Sequence, residues 1–471
     1  MTERVVFSCV MDQKPRYLSQ ARLFVQTLIA FGGCSGPDIV IHGVGEPDER
    51  SSAFFNSLGV PVVRVEPTDS RHPHSNKLAQ LGSSALESAD FVVLCDCDLA
   101  FCADIRDVIG RSSVRAKIVD YANISLEQWA SIYSAAGLPL PTHLATSTYD
   151  EKPTLANYCN GGLLVLPRSV YRELKGAWPR WNRYLLDRPS LLEPFTFFTD
   201  QVSFTLALSE LGRDVEPLGL EYNFPTHLPY ADGAASLVPK VLHYHDRVDA
   251  SGFLTPTGIP AVDTMIQRVN DLIRSERRRS FDNFMFWEFR YAEHPQLGSG
   301  VGSRGATLEV KRHLVENQVA ALQPSSVLDV GCGDLEVVKN LPVSVYTGLD
   351  LSPTSVRIAA TKRPDWRFIA GDVLRVDVDP ADLVLCFDVL LHQSREHYLE
   401  LCRRLMDLAR CHLIVSGYNQ PPWLKSEIVF YHEPLSETLM RLIEGSGSIE
   451  IVGGYRDITI FRVTRQNPAA S

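Results

Sequence analysis

Two acidic residues one position apart, Asp96 and Asp98, follow the apolar run FVVLC at positions 91–95. Such a run reads as a buried strand, and the carboxyl end of a strand is where open α/β sheets bind ligands. Two carboxylates there repel a diphosphate: at ~5 Å and an effective dielectric of ~20, each like-charged pair costs about 3 kcal/mol. A divalent cation between them reverses the sign and stabilises charge that grows on a diphosphate leaving group. D-x-D alone also describes an exposed acidic turn; its place after a buried strand favours the metal reading. A second acidic set is Asp329, Asp350, Asp372 and Asp388, each closing a short apolar run, with Gly331 and Gly333 just after the first and His392 just after the last. Strand-end carboxylates can accept hydrogen bonds from ribose hydroxyls. The two glycines permit a tight turn close to a nucleoside. His392 has an ordinary pKa near neutrality and is a candidate general base for a hydroxyl proton. Singly, each acid is equally a strand-terminal turn residue, and His392 equally structural; the register of all four carries the reading.

Two strand–helix series must position these groups. The first has candidate strands at 5–10, 39–42, 60–65, 91–96, 116–120 and 162–166, with helices beginning near Leu18, Glu49, Asn76 and Thr199. The second has strands at 326–330, 345–349, 366–369, 383–387 and 412–416. Alternation of this kind predicts mostly parallel sheets covered on both faces, so the fold class is α/β with two domains. Between the series, LTPTGIP at 254–260 is rich in breakers. Positions 261–280 then read as a helix, with Val262, Ile266, Val269 and Ile273 on one face and Arg277, Arg278 and Arg279 at an end that suits the helix dipole. That basic run reads as a solvated helix end rather than a phosphate or membrane patch.

Composition sets outer bounds. A length of 471 residues suits two or three domains at ~150 residues each. A net charge of −10 argues against a general nucleic-acid binder, which needs a basic surface. The 10 cysteines form no C-x-x-C pair, and Cys95, Cys97 and Cys102 crowd one strand-like region. They read as buried thiols of a reducing cytoplasm. No stretch approaches the ~18 apolar residues of a membrane span, and the amino-terminal apolar run is a strand rather than a signal peptide. A lipid-linked substrate can still bring the protein to a membrane surface.

The first ~250 residues resemble the GT-A glycosyltransferases, particularly the glycogenin and galactosyltransferase-like retaining group. The resemblance rests on the D-x-D, on HSNKLAQL (74–81), on YCNGGLLVL (158–166), on FFTDQVSFTLAL (197–208) and on VLHYHDRV (241–248). It implies a nucleotide-sugar donor and Mn²⁺ or Mg²⁺ on Asp96, Asp98 and His243, with His245 on the same strand face. Two carboxylates and an imidazole suit those ions. It also implies Tyr17 against the nucleotide base, Lys77 on the donor's diphosphate or sugar, and a close backbone approach at Asn160, Gly161 and Gly162. Asp200 falls at the sugar pocket and Gln201 on donor or acceptor hydroxyls. A helix-surface Lys77, a plain turn at 160–162 and a capping Asp200 are the alternatives. The family's late glycine–x–x–lysine–proline–tryptophan pattern is replaced by Asp246-Arg247-Val248 and Ser251-Gly252, which leaves the leaving group to Arg247 or to another arrangement. The stereochemical outcome stays open; for an inverting reaction Asp200 is the candidate base.

Residues 306–465 resemble the class I S-adenosylmethionine-dependent methyltransferases. SSVLDVGCGDLEVV (325–338) lacks the dinucleotide pattern G-x-G-x-x-G, because position 336 is Glu. Asp329 suits a cofactor whose amino-acid end carries an ammonium group. The class implies Asp350 on the ribose, Asp372 near the adenine amino group and Asp388 lining the pocket or orienting His392; Leu335 replaces its usual small residue. YAEHPQLGSGVGSRG (291–305) reads as a flexible linker or, through Tyr291 and Arg304, as a lid over the cofactor. The expected organisation is therefore a GT-A nucleotide-diphospho-sugar transferase domain at 1–252, a helical connector and lid at 253–305, and a Rossmann-like methyltransferase domain at 306–465. The expected function is sugar transfer to a glycan, glycolipid or glycosylated small molecule, with O-methylation of a sugar hydroxyl. The rival is a methyltransferase whose first domain only binds glycan or nucleotide sugar.

Overall fold

The computed structural model describes residues 3–46, 49–110, 112–230, 236–423, 425–445 and 447–465. The chain divides into two compact units, residues 1–249 with 253–272, and residues 250–252 with 273–471. The expected connector 253–305 is thus shared between them.

In the first unit the chain runs through β1 (Val5–Met11), α1 (Pro15–Ala30), β2 (Ile39–Val44), α2 (Glu49–Ser57), β3 (Val62–Val65), β4 (Phe91–Cys95), β5 (Leu99–Phe101), β6 (Val114–Ile118), α3 (Leu126–Ala136), β7 (Leu144–Thr146), β8 (Pro153–Leu155), β9 (Cys159–Pro167), α4 (Arg168–Leu186), α5 (Thr199–Glu210), β10 (Val215–Pro217), β11 (Phe224–Pro225) and β12 (Val241–His243). The main sheet has the order β10-β6-β9-β4-β1-β2-β3. β1 pairs parallel with β2 and β4, whereas β9 lies antiparallel between β4 and β6. All five residues of β4 are buried, as expected of a strand covered on both faces. A small second sheet, β11-β12-β5, sets His243 opposite Leu99, one residue beyond Asp98. The helix expected near Asn76 is a 3₁₀ segment, Pro73–Gly82, whose tighter pitch turns Ser75, Lys77 and Gln80 inward.

α6 (Pro260–Arg279) runs across the boundary between the units. The second unit continues with α7 (Asn283–Glu293), α8 (Gly305–Leu322), β13 (Val327–Val330), β14 (Tyr346–Asp350), α9 (Pro353–Lys362), β15 (Arg367–Ala370), β16 (Ala381–Cys386), α10 (Arg395–Leu408), β17 (Ala409–Tyr418), α11 (Leu435–Ile443), β18 (Gly447–Tyr455) and β19 (Ile458–Arg465). Its sheet order is β15-β14-β13-β16-β17-β19-β18, parallel from β15 to β17 and antiparallel at β19 and β18. Side-chain alternation along a strand divides the core. Leu328, Val384 and Val415 pack on one face with Leu401 and Leu405 of α10; Val327, Leu383, Leu385 and Ile414 pack on the other with Val315 and Val319 of α8. All ten cysteines are unpaired. No described helix is long and apolar enough to cross a membrane.

Candidate active sites

The first site gathers at the carboxyl end of β4. The peptide N–H of Asp96 donates to the Gly162 carbonyl at 2.9 Å, and that of Tyr244 to the Asp98 carbonyl at 3.1 Å, tying the D-x-D to β9 and β12. Asp98 then faces two imidazoles: its carboxylate lies 3.3 Å from His243 Nε2 and 3.4 Å from His245 Nδ1. One ligand atom from each of the three residues lies within 4.8 Å of the others. The two rings stack with centroids 3.8 Å apart. His245 holds a left-handed φ of 51°, uncommon for a residue with a side chain, and its carbonyl accepts a 2.7 Å hydrogen bond from Gln20. Burial, followed by the neighbouring His245, lowers the pKa of His243. Burial works against the Asp98 carboxylate, but His243 and His245 outweigh it and hold its pKa well down. A neutral imidazole beside an ionised carboxylate is the protonation state that divalent cations require, and two imidazole nitrogens with one carboxylate oxygen form a donor set better suited to a transition-metal dication than to the harder Mg²⁺.

Asp96 turns the other way. Its carboxylate meets Lys77 Nζ at 2.6 Å, and the same ammonium lies 3.8 Å from Asp200 and donates to the Gly161 carbonyl at 2.8 Å. Lys77 is buried inside the site. Burial opposes its charge, but Asp96 and Asp200 more than compensate and raise its pKa. Asp200 sits in the first turn of α5 and is buried, which raises its pKa against the pull of Lys77. The two glycines are required by space. A Cβ on Gly161 would lie 2.8 Å from Lys77 Nζ, and one on Gly162 would lie 2.7 Å from the His243 ring. Gln201 packs against the same Gly161 position. Asn160 spends its amide within the protein, accepting from Gly162 N at 2.8 Å and donating to Asp120 at 3.1 Å. Tyr17 is half-buried at the start of α1, its pKa raised by burial and then by nearby Cys97. Arg247 is exposed, and its guanidinium donates to the Pro256 carbonyl at 3.4 Å.

The second site lies at the carboxyl ends of β13, β14 and β16. Gly331 and Gly333 take φ of 80° and 54°, the left-handed conformations that favour glycine. Leu335, buried where the class has a small residue, also takes a positive φ of 68°. Asp350 accepts the peptide N–H groups of Gly333 and Ser352, each at 2.9 Å. Burial raises its pKa against those bonds. Asp329 is buried beneath the turn, accepts the Tyr346 hydroxyl at 2.8 Å, and is pushed up to about 7 by burial. Asp372 is half-buried and accepts the Leu374 N–H at 3.0 Å. Asp388, at a φ of 59°, meets Lys311 at 2.5 Å and the Tyr455 hydroxyl. His392 is buried against Phe281 and Trp287, with Nδ1 2.6 Å from the Ile428 carbonyl. A carbonyl only accepts, so Nδ1 carries the proton and Nε2 the lone pair.

Several partners here have no motif to announce them. Glu288 of α7 accepts from the Ser352 hydroxyl and from the Thr354 hydroxyl at 2.6 Å, beside Asp350. The segment before α8 packs on the glycine turn: Ser299 bridges the Tyr291 hydroxyl (2.8 Å) and Asp334 (2.7 Å), and Arg304 pairs with Asp334. A cavity of about 640 Å³ beside this segment is lined by Arg304, Thr307, Val310, Tyr455 and Arg456 among others.

Residues 8–212 match the family of Rhodobacterales glycosyltransferase domains, and residues 327–410 match a methyltransferase domain family. No curated protein matches the chain. Among solved structures, it is 15% identical to the galactosyltransferase LgtC in complex with donor and acceptor sugar analogues, over 57% of this chain and 96% of that one, with a TM-score of 0.38. It is 14% identical to the bifunctional glycosyltransferase WbbM over 53% and 47%, with a TM-score of 0.35. It is 20% identical to magnesium protoporphyrin IX methyltransferase from Synechocystis PCC 6803 with bound SAM, over 41% and 91%, with a TM-score of 0.27. Both units are α/β folds, the first matching a glycosyltransferase domain family and the second, with a Rossmann-like sheet, a methyltransferase domain family. The chain therefore joins a glycosyltransferase domain to a methyltransferase domain.

Proposed function

We propose that the first unit transfers a sugar from a nucleotide-diphospho-sugar to a glycan-type acceptor, and that the second methylates a sugar hydroxyl with S-adenosylmethionine. The observation that carries this reading is the constellation of Asp96, Asp98, Asp200 and Lys77 with two imidazoles on a glycine-lined sheet edge. Three carboxylates against one ammonium leave a net negative site, which a nucleoside diphosphate can approach only with a bridging cation. Asp98 and His243, with His245 and Asp96 beside them, would hold Mn²⁺ or Mg²⁺. Bound there, the ion would neutralise the diphosphate and stabilise its departure. Lys77 supplies a further positive charge to the donor, and Gly161 and Gly162 admit the sugar close to the backbone. Asp200, made more basic by burial, orients or deprotonates a hydroxyl. Tyr17 and Gln201 line the nucleotide and sugar ends.

In the second unit, Asp350 at the glycine turn holds the ribose, with Asp329, Asp372 and Asp388 around the cofactor. The segment 291–305, pinned by Ser299 and Arg304 to Asp334, serves as the lid. His392 Nε2 is the candidate acceptor of the hydroxyl proton. Two transferases in one chain support successive steps on one glycan or glycolipid, and ten unpaired cysteines support a reducing cytoplasmic setting. The test uses the full chain. Mn²⁺-dependent hydrolysis across a panel of nucleotide sugars should disappear in Asp98→Ala, and S-adenosylhomocysteine binding should disappear in Asp350→Ala, each variant keeping the other property. Hydrolysis that ignores both Mn²⁺ and Asp98 would remove the first half of the proposal; undiminished binding in Asp350→Ala would remove the second.

A further inference from the structure

A chain of side-chain amides reaches His243 from behind and ends on a buried ion pair. His243 Nδ1 lies 2.9 Å from Asn223 Oδ1. Asn223 Nδ2 donates to Asn160 Oδ1 at 3.0 Å, and Asn160 Nδ2 donates to Asp120 Oδ2 at 3.1 Å. Asp120 in turn pairs with Lys117, which is fully buried, and accepts from the Thr148 hydroxyl at 2.8 Å. Asn223 and His243 are also buried.

Amide orientation is usually ambiguous, because the two ends of an asparagine look alike. Here both ends of the chain are determined. The Gly162 peptide N–H, which can only donate, meets Asn160 Oδ1 at 2.8 Å. The Asp120 carboxylate meets the other end of the same amide and accepts from its nitrogen. Asn160 therefore presents oxygen to Asn223, Asn223 must donate with its nitrogen, and its oxygen is left for His243. The His243 proton is thereby held on Nδ1, and the Nε2 lone pair points at the Asp98 carboxylate 3.3 Å away. In the neutral ring two electron-rich groups then face each other, and a bound cation or a proton on Nε2 is needed between them.

We propose that Asn223 and Asn160, anchored by Gly162 and by the Asp120–Lys117 pair, are positioning residues that hold His243 in its metal-binding tautomer. This rests on the reading of Asp98 and His243 as ligands of a divalent cation. It gives Asn160 a task inside the protein rather than on the donor. Removing a partner of this kind from a metal-ligating histidine weakens metal binding by roughly 10- to 100-fold.

The test is the affinity of the full-length protein for Mn²⁺ alone, from the electron paramagnetic resonance signal of the free ion, in wild type and in Asn223→Leu, Asn223→Asp and Asp98→Ala. Asn223→Leu removes the acceptor and should weaken Mn²⁺ binding by roughly 10- to 100-fold. Asn223→Asp keeps an acceptor for His243 but loses the donor to Asn160, so it should bind Mn²⁺ more tightly than Asn223→Leu and more weakly than wild type. Nitrogen-15 shifts of His243 in the metal-free wild type should report the Nδ1–H tautomer, a readout that survives if Asn223→Leu fails to fold. Wild-type affinity in Asn223→Leu, or an Nε2–H tautomer, overturns the inference while leaving the metal site standing. Wild-type affinity in Asp98→Ala overturns the metal reading and the inference together.

Discussion

Replacing Lys77 by methionine keeps most of the side-chain volume and deletes one charge from the middle of the first site. The ammonium lies 2.6 Å from Asp96 and 3.8 Å from Asp200, with 9% of its side chain exposed. At 3.8 Å and an effective dielectric of ~20, the interaction with Asp200 alone is about 4 kcal/mol before desolvation. Leaving the buried Asp200 carboxylate without its partner costs about 3–5 kcal/mol net, so Lys77→Met should lose about that much stability in the first unit at pH 8. The loss should depend on pH. Burial already raises the folded pKa of Asp200 above its ordinary value of 3.8, and removing Lys77 raises it further. Between those two values the folded state holds a proton that the unfolded state has released, so stability falls as pH rises through the window. The deficit of the variant should therefore shrink on acidification, as Asp200 becomes protonated in the folded state. Urea unfolding monitored by tryptophan fluorescence is suitable, because the Trp178 indole donates to the Asp200 carbonyl at 3.0 Å. A deficit below about 1 kcal/mol, the size of an exposed pair, or one that grows as pH falls, would refute the argument.

Four further outcomes are expected. Asp350→Asn loses charge on two peptide hydrogen bonds and should weaken S-adenosylhomocysteine binding by roughly 10- to 150-fold, from about 1.5–3 kcal/mol for a bond to a charged group; calorimetry showing no change rules Asp350 out as a cofactor residue. In Gly162→Ala the new methyl meets the His243 ring at 2.7 Å, so Mn²⁺ affinity should drop about 10- to 100-fold, and equal affinity would mean that the ring is free to move. Asp329, pushed up to about 7 by burial, loses its proton in the folded state between pH 6 and 8 and destabilises the second unit when ionised. Asp329→Asn should therefore be more stable than wild type by on the order of 4 kcal/mol at pH 8, by about 1–2 kcal/mol at pH 5, and similar to it only below about pH 4; the reverse order in thermal unfolding would contradict the assignment. Burial lowers the pKa of His392, so methyl transfer should be flat above pH 6.5 and fail as pH falls through the lowered value. His392→Gln should cut kcat about 10²- to 10⁴-fold, and a full rate in that variant would leave His392 a structural residue.

Much of the architecture was legible because it is written locally. The FVVLC run, the D-x-D behind it and the glycine turn after β13 declare strands and ligand-facing ends within a dozen residues. The β18–β19 hairpin was missed, although Ile458–Arg465 alternates and Arg456-Asp457 marks the turn. Its partly exposed face lowers the apolar density that identifies the parallel strands. The 3₁₀ geometry of Pro73–Gly82 was likewise hidden, since the same side chains suit a full helical turn until Lys77 and Gln80 are required to face inward. Glu288 gave no signal, because it reaches Ser352 and Thr354 across 64 and 66 residues of sequence.

The choice between the two acids of the D-x-D shows why partners are harder to read than positions. Asp96 and Asp98 are chemically alike and share one strand end, and nothing within that segment says which of them meets the imidazoles. The decision comes from elsewhere in the chain. A buried ammonium at position 77 claims Asp96. The antiparallel pairing of β5 with β12 brings His243 to Asp98, and a left-handed backbone at His245 folds the second ring onto the first. Asn223 then sets the proton on His243 from a segment with no motif of its own. These contacts cross 19 residues at Lys77–Asp96, 20 at Asn223–His243 and 145 at Asp98–His243, or turn on a single backbone angle, so hydrophobic periodicity and short motifs carry no trace of them. They locate the carboxylates, and the tertiary pairing decides what each of them does.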